Sequence, residues 1–320
     1  MLTPLNTPIL FLVFNRPQYT KQVFESIRRA QPKQLFIAAD GPREHNETDL
    51  ENCAAVKAVV ANVDWECEVK TLYRDENLGC GLAPSSAISW FFEHVEQGII
   101  LEDDCLPSAS FFLFCEEMLE RYKYDTRINS VSGTNPLNSW EREGNSYFFS
   151  KEGGIWGWGT WKRAWDAYDF QATKWQDPLI KKLFFNQFDN HNQRAAYTYA
   201  LDKVVSGEKI SFWDYQWVFC RIINSQFGIV PAHNLISNIG FGNDATHTFD
   251  ASSKLSNLFA DTISFPLVHP KAVMIDKEFD QTVNIEYFGD TNKNFSFYSK
   301  VFNKILFLYQ KFKSFVLAKF

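Results

Sequence analysis

The sequence predicts an α/β protein built on a mostly parallel sheet with helices on its faces. Two observations support this: short apolar runs alternate with helical patterns along the first part of the chain, and polar turn residues follow several of those runs. The expected strands are 9–14, 35–39, 69–73, 99–101 and 128–132. The expected helices are 20–29, 49–60, 82–96 and one that Ser108 caps and that runs to about 122.

Polar residues with turn chemistry follow three of these strands. They occupy 15–17, 40–43 and 102–104. Ligands of open α/β sheets bind at the edge formed by the carboxyl ends of the strands, so these turns are expected to line a binding site. Beyond Gly133 there is no second βα series and no internal repeat. Because no glycine- and serine-rich linker separates the halves, we expect one continuous sheet core.

The composition narrows the possible functions. A net charge of -6 removes the basic footprint that nucleic acid binding requires, so nucleic acid is not an expected partner. The six cysteines lack the spacing of a disulfide framework or zinc site, which favours a reducing cytoplasm. The apolar run near the start lacks a basic leader, and no apolar stretch approaches the roughly 20 residues of a membrane-spanning helix. We expect a cytoplasmic protein, soluble or peripheral on the inner face of the membrane.

The end of the chain has a different character. From 295 onward it contains five lysines, no acidic residue and mostly apolar or aromatic side chains. A basic amphipathic helix of this kind can lie on anionic lipid. It can equally dock on the body of the protein or on a partner subunit.

The triplet Glu102, Asp103 and Asp104 directly follows an apolar strand. Hard carboxylate oxygens at this edge could hold Mn²⁺ or Mg²⁺ that bridges phosphate oxygens. The alternative for an acidic run is a solvated turn. The position after a strand favours the metal interpretation.

Asp214 lies in an aromatic bracket that includes Phe212, Trp213, Tyr215 and Trp217. A carboxylate desolvated by aromatic rings tends to have a raised pKa, which suits a base that takes a proton from an attacking hydroxyl. The structural alternative is an N-cap, because Asp214 could start the helix that continues through 221.

Two further segments are candidates for ligand contact. The segment 153–161 combines glycines with tryptophans, which would let a loop bend beneath a sugar, and Trp156 is the expected contact. Its alternative is an aromatic cluster that packs in the core. His247 follows a flexible segment, 240–244, that could close over a diphosphate and bring an imidazole to phosphate or metal. A simply solvated histidine is the alternative.

Several short motifs resemble known glycosyltransferases in order and spacing. They are Phe14-Asn15-Arg16-Pro17, Asp40-Gly41-Pro42, Asn77-Leu78-Gly79, Leu101-Glu102-Asp103-Asp104, Gly153-Gly154-Ile155-Trp156-Gly157-Trp158, Phe212-Trp213-Asp214-Tyr215-Gln216-Trp217, Ile229-Val230-Pro231 and Ala245-Thr246-His247. Those of the first half resemble the Rossmann-like GT-A fold. All of them together are similar to the eukaryotic N-acetylglucosaminyltransferase I family, and the N-terminal stretches also look like bacterial family 2 enzymes. The resemblance covers about residues 8 to 250.

The resemblance implies roles for individual residues. By this resemblance Asp104 is expected to coordinate the metal, Asp103 to approach the ribose and Glu102 to lie toward the transferred sugar. Arg16, next to Asn15, and Asp40 match positions that hold the uracil base. Arg74 stands roughly where the family has another base contact, but the family residue there is a histidine and the alignment needs a gap. Asp214 matches the catalytic base, and Trp213 lies beside it.

The function implied by the resemblance is an inverting, metal-dependent glycosyl transfer from a UDP-sugar, first of all UDP-N-acetylglucosamine, to a hydroxyl of a glycan or glycolipid. The corresponding division of the chain is 1–132 for nucleotide-sugar binding, 133–285 for the acceptor and the base, and 286–320 for the tail. One alternative is a sugar nucleotidyltransferase. Another is a noncatalytic carbohydrate-binding protein on a transferase fold.

Overall fold

The computed structural model describes residues 4–241 and 258–290. The strands β1 to β10 are Ile9–Val13, Gln34–Ala39, Glu68–Tyr73, Gln97–Glu102, Cys105–Pro107, Ile128–Ser132, Tyr147–Ser150, Trp158–Trp161, Phe227–Pro231 and Ile236–Asn238. The helices α1 to α9 are Pro17–Ala30, Glu47–Val60, Gly79–Phe92, Ala109–Arg121, Lys162–Trp165, Pro178–Phe185, His191–Val205, Asp214–Ile223 and Lys277–Phe288. A 3-10 helix covers Thr173–Gln176.

Eight of these strands form one sheet in the order β3-β2-β1-β4-β8-β6-β9-β7. The pairs β1/β2, β2/β3, β1/β4 and β6/β9 are parallel, whereas β8 and β7 pair antiparallel with their neighbours. The predicted α/β class with a mainly parallel, helix-covered sheet is therefore confirmed. The strand predicted at 128–132 has the observed bounds.

The central strands are apolar on both faces because helices cover both faces. Every residue of β1 is buried, and so is all of β2 except its first residue. The helix α1 contributes Val23, Phe24 and Ile27 to the core on one side. On the other side Phe91 of α3 packs edge-on against Phe36 of β2, with ring centroids 4.9 Å apart. Burial on both faces is typical of parallel strands and explains why these runs do not alternate.

The second half of the chain completes the same sheet. The strand β8 lies between β4 and β6, so the tryptophan-rich segment enters the centre of the molecule. Trp158 and Trp161 are buried there. For these two residues the loop interpretation was wrong and the core-packing alternative is correct, because Trp158 and Trp161 each pack in a hydrophobic core cluster.

The helices α6, α7 and α8 enclose a separate aromatic cluster around Trp175. The start of α8 corrects one expectation. Asp214 is the first residue of the helix and Trp213 takes the N-cap position, without a capping bond from its side chain.

Several expectations concern chain segments or membrane spans. His247 and the tail from 291 to 320 lie outside the described residues. Among the residues that are described, no helix is long and apolar enough to cross a membrane. The six cysteines all lie in the described part of the chain, and none of them forms a disulfide there.

Candidate active site

A cavity of about 360 Å³ opens at the carboxyl ends of β1, β2, β3 and β4. Its lining includes six of the residues singled out in the sequence: Asn15, Arg16, Asp40, Arg74, Glu102 and Asp103. The turns after four parallel strands meet at one edge of the sheet, which is why residues so distant in sequence converge. The volume falls in the range of small-molecule sites.

Arg16 joins the turn after β1 to the acidic triplet after β4. Its guanidinium donates to Asp103 and, at 3.0 Å, to Asp104 Oδ2. Gly240 lies against this ion pair, because a Cβ at that position would come within 2.2 Å of Asp104 Oδ2 and 2.8 Å of Arg16 Nη1. The backbone of Ile239 is also tied to the motif, since its N–H donates to the Asp104 carbonyl at 2.8 Å. Only glycine allows the chain to pass this close to the pair.

The acidic triplet is crowded and buried. Burial, followed by the charges of Asp104 and Asp103, raises the pKa of Glu102. Burial also raises the pKa of Asp103, against the opposing influence of Arg16. Asp103 Oδ2 is buried and has no hydrogen-bond partner within the described residues. A single guanidinium therefore leaves carboxylate oxygens of this motif uncompensated.

Asp40 has a structural task at the cavity wall. Its oxygens accept from the backbone N–H groups of Leu78 and Gly79 and from the side-chain amide of Asn77, each at 3.0 Å. These contacts satisfy the first N–H groups at the start of α3. The motif Asn77-Leu78-Gly79 is thus the partner of Asp40, and contact of Asp40 with a base stays a prediction.

Asn15 is held by a buried carboxylate that lies outside the cavity. Its amide donates to Asp49 Oδ1 at 2.7 Å, and Arg43 binds the same carboxylate with two bonds of 2.6 and 2.8 Å. The Arg43 partner lowers the pKa of Asp49 to about 2. Asp49 thereby links the turns after β1 and β2. Sequence analysis missed it, because a helical aspartate two residues after Glu47 has no distinctive signal.

Arg74 contributes a cation without a carboxylate hydrogen-bond partner in the described residues. Its guanidinium donates to Ser86 Oγ at 2.8 Å, and burial lowers the pKa of Arg74 from its usual value. Lys209 and Ser211 line the cavity from the segment before α8 and were not predicted. A Cβ at Gly81 would meet the carbonyl oxygen of Ile210 at 2.9 Å, so this segment lies directly against the start of α3.

The predicted metal ligand Asp104, the predicted base and the predicted aromatic contacts are not part of the cavity lining. Asp214 follows Ser211 by three residues at the start of α8. Trp213 is 4% exposed and stacks on Trp158, with centroids 5.9 Å apart. Trp156 is half-buried against the core, and its ring meets Phe241 edge-on at 5.7 Å. The ligand roles of Asp214, Trp213 and Trp156 stay predictions.

The donor set limits what kind of metal site can exist here. Among the described residues, no group of three or more His, Cys, Asp or Glu side chains is placed to hold a metal ion. Asp104 offers one carboxylate whose Oδ2 already accepts from Arg16. Magnesium-like ions are often held by one or two carboxylates together with substrate phosphates and water. Within the described part of the chain these residues do not form a complete set of protein ligands, and the metal role of Asp104 stays a prediction.

No family model and no curated protein matches the sequence, so membership in the N-acetylglucosaminyltransferase I family is not shown. The chain is similar to a UDP-glucose pyrophosphorylase complexed with UDP-glucose, at 10% identity and a TM-score of 0.31 over 51% of this chain and 78% of that one. It is also similar to the inositol-1-phosphate CTP transferase from T. maritima, at 10% identity and a TM-score of 0.40 over 79% of this chain and 95% of that one. An apo-UDP-glucose pyrophosphorylase is similar at 10% identity and a TM-score of 0.36, over 73% of this chain and 93% of that one. Likeness at this level assigns neither a reaction nor residue roles to this chain.

Proposed function

We propose that this protein is a transferase that binds a nucleotide diphosphate sugar in the cavity after β1 to β4 and moves its glycosyl group to a hydroxyl. The observation that carries the proposal is the cavity itself: cationic, amide and carboxylate side chains converge on it from the ends of four parallel strands. Such an edge is where nucleotides bind in open α/β sheets.

The charges of the lining support an anionic ligand. The guanidinium of Arg16 is paired with Asp103 and Asp104, and that of Arg43 with Asp49. Arg74 has a hydroxyl as its hydrogen-bond partner, and Lys209 is a further cationic residue of the lining. A half-buried guanidinium without a carboxylate is stabilised when a phosphate oxygen arrives, because a charge-assisted hydrogen bond then replaces lost hydration.

The acidic motif Glu102-Asp103-Asp104 supports a reaction in which the donor's diphosphate is the leaving group. Asp104 would hold Mn²⁺ or Mg²⁺ that arrives with the donor, and such an ion would neutralise charge on the departing diphosphate. Arg16 keeps Asp103 and Asp104 oriented at the end of β4. Glu102, from the same motif, lines the cavity and is proposed to lie toward the transferred sugar.

Asp214 is the proposed general base. It begins α8, close in sequence to Lys209 and Ser211 of the cavity lining. Together with burial, which is the larger cause, its negative charge raises the pKa of the Tyr168 and Tyr215 phenols. A single base that takes the acceptor proton, opposite the leaving group, corresponds to direct displacement with inversion. UDP-N-acetylglucosamine is the first donor to test, and a glycan or glycolipid hydroxyl is the proposed acceptor.

Nucleotidyl transfer is the second candidate, because the similar solved structures are named as pyrophosphorylases and a CTP transferase. The names of these similar structures therefore agree better with nucleotidyl transfer than with glycosyl transfer. Enzymes of that class normally carry a glycine-rich, basic loop after their first strand. In this chain only residues 14–16 connect β1 to α1, and none is glycine. That short connection favours glycosyl transfer.

Product analysis separates the two reactions. The protein is incubated with UDP-N-acetylglucosamine and Mn²⁺, with and without pyrophosphate, and nucleotides are resolved by anion exchange. Glycosyl transfer, or its leak to water, releases UDP without pyrophosphate. Nucleotidyl transfer forms UTP and sugar 1-phosphate only when pyrophosphate is present, and that result would overturn the proposal. Sugar binding with no nucleotide turnover across a panel of donors would point to a noncatalytic protein.

A further inference from the structure

A second cavity, of about 620 Å³, lies far from the first and shares no lining residue with it. Its walls come from the residues after β7, the segment between α6 and α7, and α9. Four strand spacings separate β4 from β7, about 19 Å at ~4.8 Å each. The chain of pairings also makes β7 antiparallel to β4, so the two cavities follow strand ends that point in opposite directions.

Two carboxylates, the buried Asp280 and the half-buried Glu152, line this second cavity. Asp280 accepts from Ser150 Oγ at 2.6 Å, and Glu152 Oε1 accepts from the amides of Gln193 and Asn284 at 2.9 and 3.2 Å. These bonds hold the two acids in place. Within the described residues no hydrogen bond reaches Glu152 Oε2. This oxygen is therefore a fixed acceptor in the cavity lining that is still able to accept from a ligand.

Amide side chains at the surface also line this cavity. Asn186, Gln187 and Gln281 are exposed, and in the part of the chain that is described the side chains of Asn186 and Gln281 make no hydrogen bond. A primary amide donates and accepts at once, as does a sugar hydroxyl. Ile275 and Ile285 supply apolar contact beside these groups. Convergent amides and carboxylates with a little apolar surface suit a polyhydroxylated ligand.

The charge of the lining argues against an anion. Two lysines, Lys151 and Lys277, stand against four acids, Glu152, Asp189, Asp280 and Asp290. Like charges would repel a phosphate or a nucleotide. A metal ion is also disfavoured, since no metal-holding group of acids occurs in the described ranges.

We propose that this second cavity is a saccharide-binding site for a neutral glycan, separate from the donor cavity. The site goes beyond the proposed function, because binding here needs neither nucleotide nor transfer. Its role would be to hold a glycan away from the reacting centre.

The test uses the full chain without nucleotide and measures saturation-transfer NMR and calorimetry with neutral tetrasaccharides of glucose, mannose, galactose and N-acetylglucosamine. At least one should bind. In the double variant Asn186→Ala/Gln281→Ala the affinity should fall roughly five- to thirtyfold, since each lost hydrogen bond contributes modestly. The matched control Gln18→Ala removes an exposed amide from α1 and should bind as the wild type does.

Three outcomes would overturn the site: no tetrasaccharide binds, binding is equal in the double variant, or tetralysine binds in place of sugar, which would indicate a basic peptide. UDP release from the donor is measured in the same double variant. If the donor cavity functions as proposed, that release stays at the wild-type level, so loss of either activity identifies which proposal failed.

Discussion

Arg16 Nη2 lies 3.0 Å from Asp104 Oδ2, so the cation after the first strand is ion-paired with the carboxylate after the fourth. The guanidinium of Arg16 offsets part of the negative charge of the acidic motif after β4. The pair also predicts how a metal should behave, because a guanidinium already occupies an oxygen that the ion would use.

We expect Mn²⁺ to bind tightly only when UDP is present, since the diphosphate supplies the oxygens that the protein lacks. Titration of free Mn²⁺ by electron paramagnetic resonance, with and without UDP, measures this. In Asp104→Asn the UDP-dependent binding should weaken by roughly tenfold or more. The control Asp75→Asn changes an exposed carboxylate outside the cavity lining and should have no effect. Equal Mn²⁺ affinity with and without UDP would contradict the prediction.

For the base, Asp214→Asn should leave the donor Kd unchanged and lower the transfer rate by roughly 10²- to 10⁴-fold, the usual contribution of a general base. Calorimetry with UDP and a transfer assay give the two quantities. Glu208→Gln changes an exposed acid in the preceding segment and should retain activity. Transfer at the wild-type rate in Asp214→Asn would remove this residue from the mechanism.

Arg74 should show a trade-off between stability and binding. Arg74→Met removes a half-buried cation whose hydrogen-bond partner is a hydroxyl, so thermal stability should stay the same or rise. Donor affinity should fall by roughly tenfold or more, because a charge-assisted hydrogen bond to phosphate is lost. Arg29→Met, on the exposed end of α1, serves as control. Lower stability with intact donor binding would indicate a purely structural Arg74.

Asp49 should make stability depend on pH in acid. Its folded pKa of about 2 lies below the ordinary value of 3.8, so the stabilisation is fully present above pH 4 and is lost as the pH falls toward 2. Asp49→Asn should cost about 2 kcal/mol of unfolding free energy at pH 7, and the difference from wild type should shrink in acid. Urea unfolding at several pH values measures it.

The matched control for Asp49 is Asp64→Asn. Asp64 pairs with Arg28 on the surface, where 52% of its side chain is exposed, and such pairs contribute little. A loss at Asp64 as large as that at Asp49 would show that burial does not decide the energy of these pairs.

The start of α3 shows where local sequence stops being sufficient. A helix was predicted from 82, but it begins at Gly79 because Asp40, from the turn after β2, accepts the first N–H groups. The capping group lies 39 residues away from Gly79 in the chain. No pattern around Gly79 contains it.

The sequence by itself determined the strand and helix alternation, the mainly parallel sheet and the edge at which Arg16, Asp40 and Glu102 meet. Apolar periodicity and turn chemistry are local, and parallel topology then brings the strand ends together. Only the tertiary structure decided that Arg16 pairs with Asp104 and that Trp158 lies in the sheet centre, because both depend on which distant segments become neighbours. The ion-pair partner of a charged side chain and the burial of an aromatic ring are fixed only when segments distant in sequence pack together.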